Sequence, residues 1–353
     1  MTVTYYGINT AFNSGKGWVP IGDTQIGSFS GNYDGNGKTI SGLSINDTSL
    51  NDAGLFGYIQ NNTISNLKIA EMDITAGSNS SVGGVVGSCF NVSKIENCLV
   101  TGKISGGAFS GGVVGNAVNN NTFKNCSFTG PGGTLGSISQ SRDAGGIVGY
   151  NDSSTVENCY AAVAINTDNG NGGGGIVGYN YSGTIKNSYA TGSVTGTIAG
   201  GVVMTNDNGT VVNCYSTGTI NYSSNSGGGI AGHLNGGTLE NCVALNPSVT
   251  GASASAGRII GYNSTVISTL ANNYARADML VNGATVNSTD PTAVKNDVNG
   301  EGIASASTYN TVDWWKNVST WNTTSPAAAW DLDNVWVWNN AKQLPILRNV
   351  MGQ

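Results

Sequence analysis

One phrase recurs down this chain and limits what it can fold into. It reads Gly-Gly, two apolar residues, Gly, a polar stretch, an apolar residue, a charged or small residue, Asn, and then Cys or a close substitute. A clear copy opens with Gly83-Gly84-Val85-Val86-Gly87 and closes with Ile95-Glu96-Asn97-Cys98. Others cover residues 111–126, 145–159, 174–188, 200–214 and 228–242, with an early copy at 54–67 and a frayed one at 257–273. The asparagines mark the period: Asn66, Asn97, Asn125, Asn158, Asn187, Asn213, Asn241 and Asn272, at steps of 26 to 33 residues. A unit of that length cannot bury its apolar face alone and must stack on its neighbours.

Within each copy, short β-prone runs are cut by Gly, Asn, Ser and Thr, and helical periodicity is absent. The pattern predicts an all-β fold: a right-handed parallel β-helix, one coil per copy, coils stacked at about 4.8 Å, with a cap at each end. Stacking turns repeat positions into columns. Two residues before the repeated Asn stand Ile64, Ile95, Phe123, Val156, Ile185, Val211, Leu239 and Leu270, which must face inward. Seven residues past it stand Ile104, Ile165, Val194 and Ile220, with Ile74 one residue out of phase. Between the inward residue and Asn, the succession Glu96, Lys124, Glu157, Lys186 sets opposite charges on adjoining coils.

The repeated Asn has a physical reason of its own. Asn tolerates the left-handed backbone that a sharp corner needs, and stacked side-chain amides can bond along a column. The asparagines are therefore structural. Cys98, Cys126, Cys159, Cys214 and Cys242 share the next position, with Ser188 and Asn273 there in two other copies. Stacked side chains point the same way, which suits a disulfide poorly, and no Cys-x-x-Cys pair is present for zinc. The column reads as buried free thiols. Cys89 lies outside it, in an expected loop, open to reaction.

Charged residues are 10% of the chain, against about 25% in ordinary domains. A net charge of −6 without a basic stripe excludes the electrostatic footprint of a nucleic-acid binder. Apolar runs are too short to span a membrane as helices. The first twenty residues hold no apolar export segment, so an exported protein would need its signal elsewhere. No motif calls for a metal or a cofactor.

Two regions follow from composition. Residues 1–277 form the repeat solenoid, with an N-terminal cap drawn from Tyr5, Tyr6, Phe12 and Trp18. Residues 278–353 hold six of the seven tryptophans, Trp314, Trp315, Trp321, Trp330, Trp336 and Trp338. They are expected to pack on the same solenoid as an aromatic cap over its last coil. Residues 278–307 have no assigned role.

These features resemble the GLUG-motif proteins. Gly54-Leu55-Phe56-Gly57 and Gly145-Gly146-Ile147-Val148-Gly149 carry the motif, the latter followed by Asn158-Cys159-Tyr160-Ala161. The opening Gly17-Trp18-Val19-Pro20-Ile21-Gly22, the stretch from Phe29 to Ile40, and the ending Trp330-Asp331 through Leu344-Pro345-Ile346-Leu347 are similar to the family's own. Met204 departs from the pattern, standing where the motif's final Gly belongs. The resemblance implies a bacterial cell-surface or secreted protein, often labelled an adhesin, with no characterised ligand. GLUG repeats also accompany immunoglobulin A-specific metallopeptidases. That activity does not carry over, because its zinc motif needs two histidines and His233 is the chain's one histidine.

The expected function is non-enzymatic binding of a polysaccharide or a host or matrix surface through one solenoid face. Candidate contact residues follow the motif's last Gly: Tyr58, Tyr150, Tyr179 and Tyr262, with His233 at the same place in another copy, and Asn151, Asn180 and Asn263 beside them. A plainer reading is that the tyrosines close a turn and stack on each other. The alternatives are a polysaccharide lyase or glycosidase, with Asp143, Asp152 and Asp207 meeting from loops of different coils, and a passive spacer. No residue is singled out as catalytic.

Overall fold

The computed structural model describes residues 12–23, 27–130, 132, 136–139, 141–253, 255–264, 268–286, 297–321 and 330–353. Tyr5 and Tyr6 lie outside them, as does the side chain of Phe12.

Each repeat makes one coil of short strands separated by corners, as in Val177–Tyr181, Thr184–Lys186, Tyr189–Ala190 and Val194–Gly200. Equivalent strands stack in parallel. The first set forms an eight-stranded sheet from Phe56–Gln60 to Ile260–Asn263, here sheet I. The second forms a nine-stranded sheet from Tyr33–Asp34 to Ser268–Ala271, sheet II, and the rest form a 23-stranded sheet III, apart from the antiparallel pair Trp336–Asn339 and Leu344–Leu347. The chain is thus a β-solenoid of about nine coils.

The inward column runs in strict register, Ile64, Ile95, Phe123, Val156, Ile185, Val211, Leu239, Leu270. All are fully buried except Leu270, which packs half-buried against the core. A second column joins Ile45, Ile74, Ile104, Ile138, Ile165, Val194, Ile220 and Val249. Ile74 regains phase because Glu71, at φ 56°, forms a bulge that puts one extra residue between Ile69 and Met72. Each buried aliphatic side chain contributes about 1.5–3 kcal/mol relative to exposure, so the columns are the main cohesive element.

At the corner after sheet II the repeated asparagines all hold φ between 49° and 55°. Their amides bond from coil to coil: Asn97 to Asn66 at 3.2 Å, Asn125 to Asn97 at 3.0 Å, Asn158 to Asn125 at 3.3 Å. Beyond a break at the Asn158 Oδ1 atom, Asn213 donates to Asn187 at 3.2 Å, Asn241 to Asn213 at 3.3 Å and Asn272 to Asn241 at 3.1 Å. Asp34 accepts from Asn66 at one end, and Asn272 donates to the Trp321 carbonyl at the other. Outside the corner, Glu157 meets Lys124 at 3.4 Å and Lys186 at 3.1 Å. Such part-exposed pairs are worth about 0.2–1 kcal/mol each.

Close coil contact also explains the glycine pairs. A Cβ on Gly146 would lie 2.1 Å from the Gly175 carbonyl oxygen. Arg258 occupies the equivalent place in the last coil. It is fully buried, and its guanidinium donates to the carbonyls of Gly300 at 2.8 Å and Arg276 at 3.3 Å, plugging the bore.

The C-terminal region differs from expectation. The last coil is closed not by tryptophans but by residues 297–303 within the unassigned stretch. Ile259 and Ile260 donate to the Val298 carbonyl, and Glu301–Ile303 pairs in parallel with Tyr274–Arg276. The tryptophan segment instead runs back along the flank of sheet III. There, the residue after the thiol position is often Tyr, and Tyr160, Tyr189 and Tyr215 stack at 4.5 and 4.6 Å. Trp314 and Trp321 pack on Tyr274, and Trp315, Trp330 and Trp336 on Tyr215. The arm continues until Ser127 Oγ donates to the Met351 carbonyl at 2.7 Å. The physical reason is area: a row of exposed tyrosines offers flat aromatic surface that one coil end does not.

Candidate functional site

The outward face of sheet I carries the candidate contact residues, and register fixes their order. One row reads Tyr58, Ser88, Asn116, Tyr150, Tyr179, Thr205, His233, Tyr262. They sit on strands, not in a closing turn, because the motif's last Gly is already the second strand residue. Alternation turns this row and the row two residues on outward, although Ser88 and Thr205 are each only 3% exposed. The second row includes Asp152, Tyr181, Asp207 and Asn235.

Aromatic stacking links only part of the first row. Tyr150 and Tyr179 stack at 5.6 Å, and Phe109, from the strand Phe109–Gly111 of the preceding coil, packs on Tyr150 at 5.0 Å. Arg142 lies over the Phe109 ring at 5.0 Å. Tyr58 stacks instead on Phe90 at 5.1 Å. His233 packs on Tyr262 at 5.2 Å and hydrogen-bonds Asn225 through Nε2 at 3.2 Å. Burial holds the His233 imidazole below its ordinary pKa, which keeps it neutral at pH 7. Tyr179 Oη donates to Asp207 Oδ2 at 2.9 Å, which fixes its ring.

Between Tyr179 and His233 the row is interrupted by Thr205, and a cavity of about 250 Å³ opens there. Thr197, Ile198, Met204, Asn225 and Asn235 complete its lining. A larger hollow of about 500 Å³ between the turns at residues 48–51 and 76–80 has neither an aromatic nor an ionisable side chain in its lining.

Several expectations need correction. Asn151 and Asn180 are fully buried and point inward, where Asn151 donates to Asn180 at 2.7 Å and Asn180 to Asn206 at 2.6 Å. They cannot meet a ligand; Asn263 alone of that set is exposed. Asp143, Asp152 and Asp207 lie on strands, not loops. Asp143 is buried with Arg142 at 3.9 Å, and Asp152 and Asp207 flank Tyr181 in one row. Cys89 is a fully buried strand residue whose thiol burial pushes up to about 12. Cys98, Cys126, Cys159, Cys214 and Cys242 are likewise buried and free. Their Sγ atoms lie near backbone carbonyls, as Cys126 Sγ does 3.3 Å from Lys124 O. Sequence reasoning missed Phe109, Tyr181 and Asn225. Phe109 and Asn225 come from segments outside the motif.

Comparison with known proteins places these coils. Residues 140–166 and 169–195 match the model of the GLUG motif. Halomucin of Haloquadratum walsbyi is 38% identical over 98 residues, 28% of this chain and 1% of halomucin. A protein of Evansella cellulosilytica named "Putative Gly-rich membrane protein" is 41% identical over 88 residues, 24% of this chain and 10% of that one. The matches thus span a tenth or less of these relatives. Among solved structures, "a putative immunoglobulin A1 protease from Bacteroides ovatus" aligns over 94% of this chain and 81% of its own, at 18% identity and a TM-score of 0.40. The chain thus carries the GLUG motif in two of its coils, and the other coils stack in register on them.

Proposed function

We propose that this chain is a cell-surface or secreted binding protein that holds a glycan along the outward face of sheet I, without catalysing its breakdown. One observation carries the reading: on an open sheet, the stacked pair Tyr150–Tyr179 and the packed pair His233–Tyr262 lie in one row, 5.6 and 5.2 Å between centroids. Aromatic rings present apolar faces with polar tips, and Asn225 and Asn235 supply hydroxyl-bonding groups among them. Tyr181 and Tyr262 remain 42% and 45% exposed, more than a purely structural stack requires.

The names of the relatives support a surface setting, since one is "Halomucin" and the other is called a membrane protein. Among the described residues no helix is long and apolar enough to cross a membrane. Against an enzyme stands the state of the carboxylates. Asp207 accepts from Tyr179 and Asn208, Asp152 from Ser153, and Asp143 faces Arg142. Each is tied to its own neighbours rather than aimed across a cleft, as paired glycosidase carboxylates must be.

A glycan array followed by calorimetry tests the proposal. The parent protein is expected to bind at least one polysaccharide. Replacing Tyr150, Tyr179 and Tyr262 together with Ala should abolish binding while far-ultraviolet circular dichroism stays unchanged. An array without a hit overturns the binding role, and release of new reducing or unsaturated ends overturns the non-enzymatic part.

A further inference from the structure

The repeat breaks its own rule in one coil, and the break coincides with the cavity. Met204 stands where the motif's final Gly belongs, and Thr205 stands where Tyr150 and Tyr179 stand in the two preceding coils. Both residues line the hollow between Tyr179 and His233. Neighbouring coils bring aromatic rings into direct stacking, as Tyr150 and Tyr179 show at 5.6 Å. Tyr179 and His233 are two coils apart, about 9–10 Å at the usual strand spacing. The missing ring at Thr205 therefore leaves a slot one ring thick between two aromatic faces.

Resting on the glycan-binding reading, we infer that this slot is a subsite for a single uncharged pyranose ring of a neutral polysaccharide. Size argues for one ring: about 250 Å³ falls below the 300–1,000 Å³ or so of pockets that take whole drug-sized ligands. The slot is also preorganised. The Asp207 carboxylate anchors Tyr179, and Asn225 and Tyr262 hold His233, so little ordering remains to oppose binding. Met204, Ile198 and Thr205, all buried, give the floor and wall, and Asn225 and Asn235 give hydroxyl partners. Charge sets the class. Among the described residues neither Lys nor Arg lines the slot, and Asp207 lies against Tyr179 at its edge. A uronate or sulfated ring would meet a like charge with no cation to offset it.

The test fills the slot instead of destroying it. Calorimetry is run on the parent and Thr205→Tyr, against neutral oligosaccharides (cello-, xylo-, manno- and chito-series) and acidic ones (oligogalacturonate, alginate, hyaluronan). The parent should bind a neutral oligosaccharide at least tenfold more tightly than any acidic one. Thr205→Tyr, which completes the aromatic row, should weaken binding at least tenfold with an unchanged melting temperature. If Thr205→Tyr fails to fold, His233→Ala, which removes one wall, should show the same loss. Binding by the parent with no loss in the folded filling variant, or in His233→Ala, overturns the slot and leaves the face reading standing. Equal affinity for acidic chains overturns the charge selection. A parent that binds none of the panel overturns the face reading itself, and the slot with it.

Discussion

Asn125 donates its side-chain amide to Asn97 Oδ1 at 3.0 Å, and the two backbones share nearly the same left-handed geometry, φ 54° and 55°. Asn125 Oδ1 in turn accepts from Asn158 at 3.3 Å. Two separate demands meet in one residue type. Asn125→Ala should cost about 1–2 kcal/mol for the left-handed backbone and about 1 kcal/mol for each lost amide bond. Asn125→Gly loses the bonds but not the backbone fit, so it should fall between parent and Ala. Urea melts of the three proteins decide; a Gly variant less stable than Ala would show that backbone geometry is not the main demand.

Asp52 is a buried carboxyl that accepts from Ser88 Oγ. Burial raises its pKa above the ordinary 3.8, the Ser88 bond opposes that, and Asp23 adds to it. The folded state therefore keeps the Asp52 proton to higher pH than the unfolded chain does. Stability from this group is full below the unfolded value and falls as pH rises through and beyond it. Asp52→Asn keeps an acceptor for Ser88 and carries no charge. Its melting temperature should exceed the parent's at pH 7 and approach it near pH 3. A variant less stable than the parent at pH 7 would mean the charged form is favoured by contacts outweighing burial.

Trp336 is fully buried between the arm and the Tyr189–Tyr215 pair, with centroids at 6.1 and 5.9 Å. Trp336→Ala should cost about 3–5 kcal/mol, concentrated in the arm. Limited proteolysis should then cleave between residues 305 and 353 while the coils persist. Loss of β-sheet signal at the same temperature as arm cleavage would instead show that the coils depend on the arm.

All six cysteines are buried, and burial raises the thiol pKa of Cys89 to about 12 and that of Cys126 well above its ordinary value. A thiol reagent at pH 8 should label almost none of the native protein and six sites in denaturant. Rapid labelling of one native site would place Cys89 in the exposed setting its position outside the column first suggested.

The sequence carried the solenoid because each inward residue repeats at one phase, from Ile64 to Leu270. It carried the Asn corner because so few residue types tolerate that backbone. What stayed hidden depends on contacts between segments of unrelated phase. Phe109 joins Tyr150 from a strand outside the motif, and Asn225 reaches His233 from a variable stretch. Asn151 and Asn180 looked like surface amides because period two had not yet been anchored to the wall. Their inward direction follows once Tyr150 and Tyr179 are placed outward. The tryptophans were read as a lid because composition gives no direction of travel. The tyrosine after each thiol was the available clue: an exposed aromatic row needs a cover. Met204 was legible as an exception, yet only the cavity beside it gives the exception a use.

The arm from Trp314 to Met351 touches Tyr274 at one end and Ser127 at the other. A bare stack of repeats feels only its immediate neighbours and can fray one layer at a time. This splint links layers that are otherwise strangers, so the far half of the rod should lose order in one step, and force along its length should be shared across the span instead of peeling it.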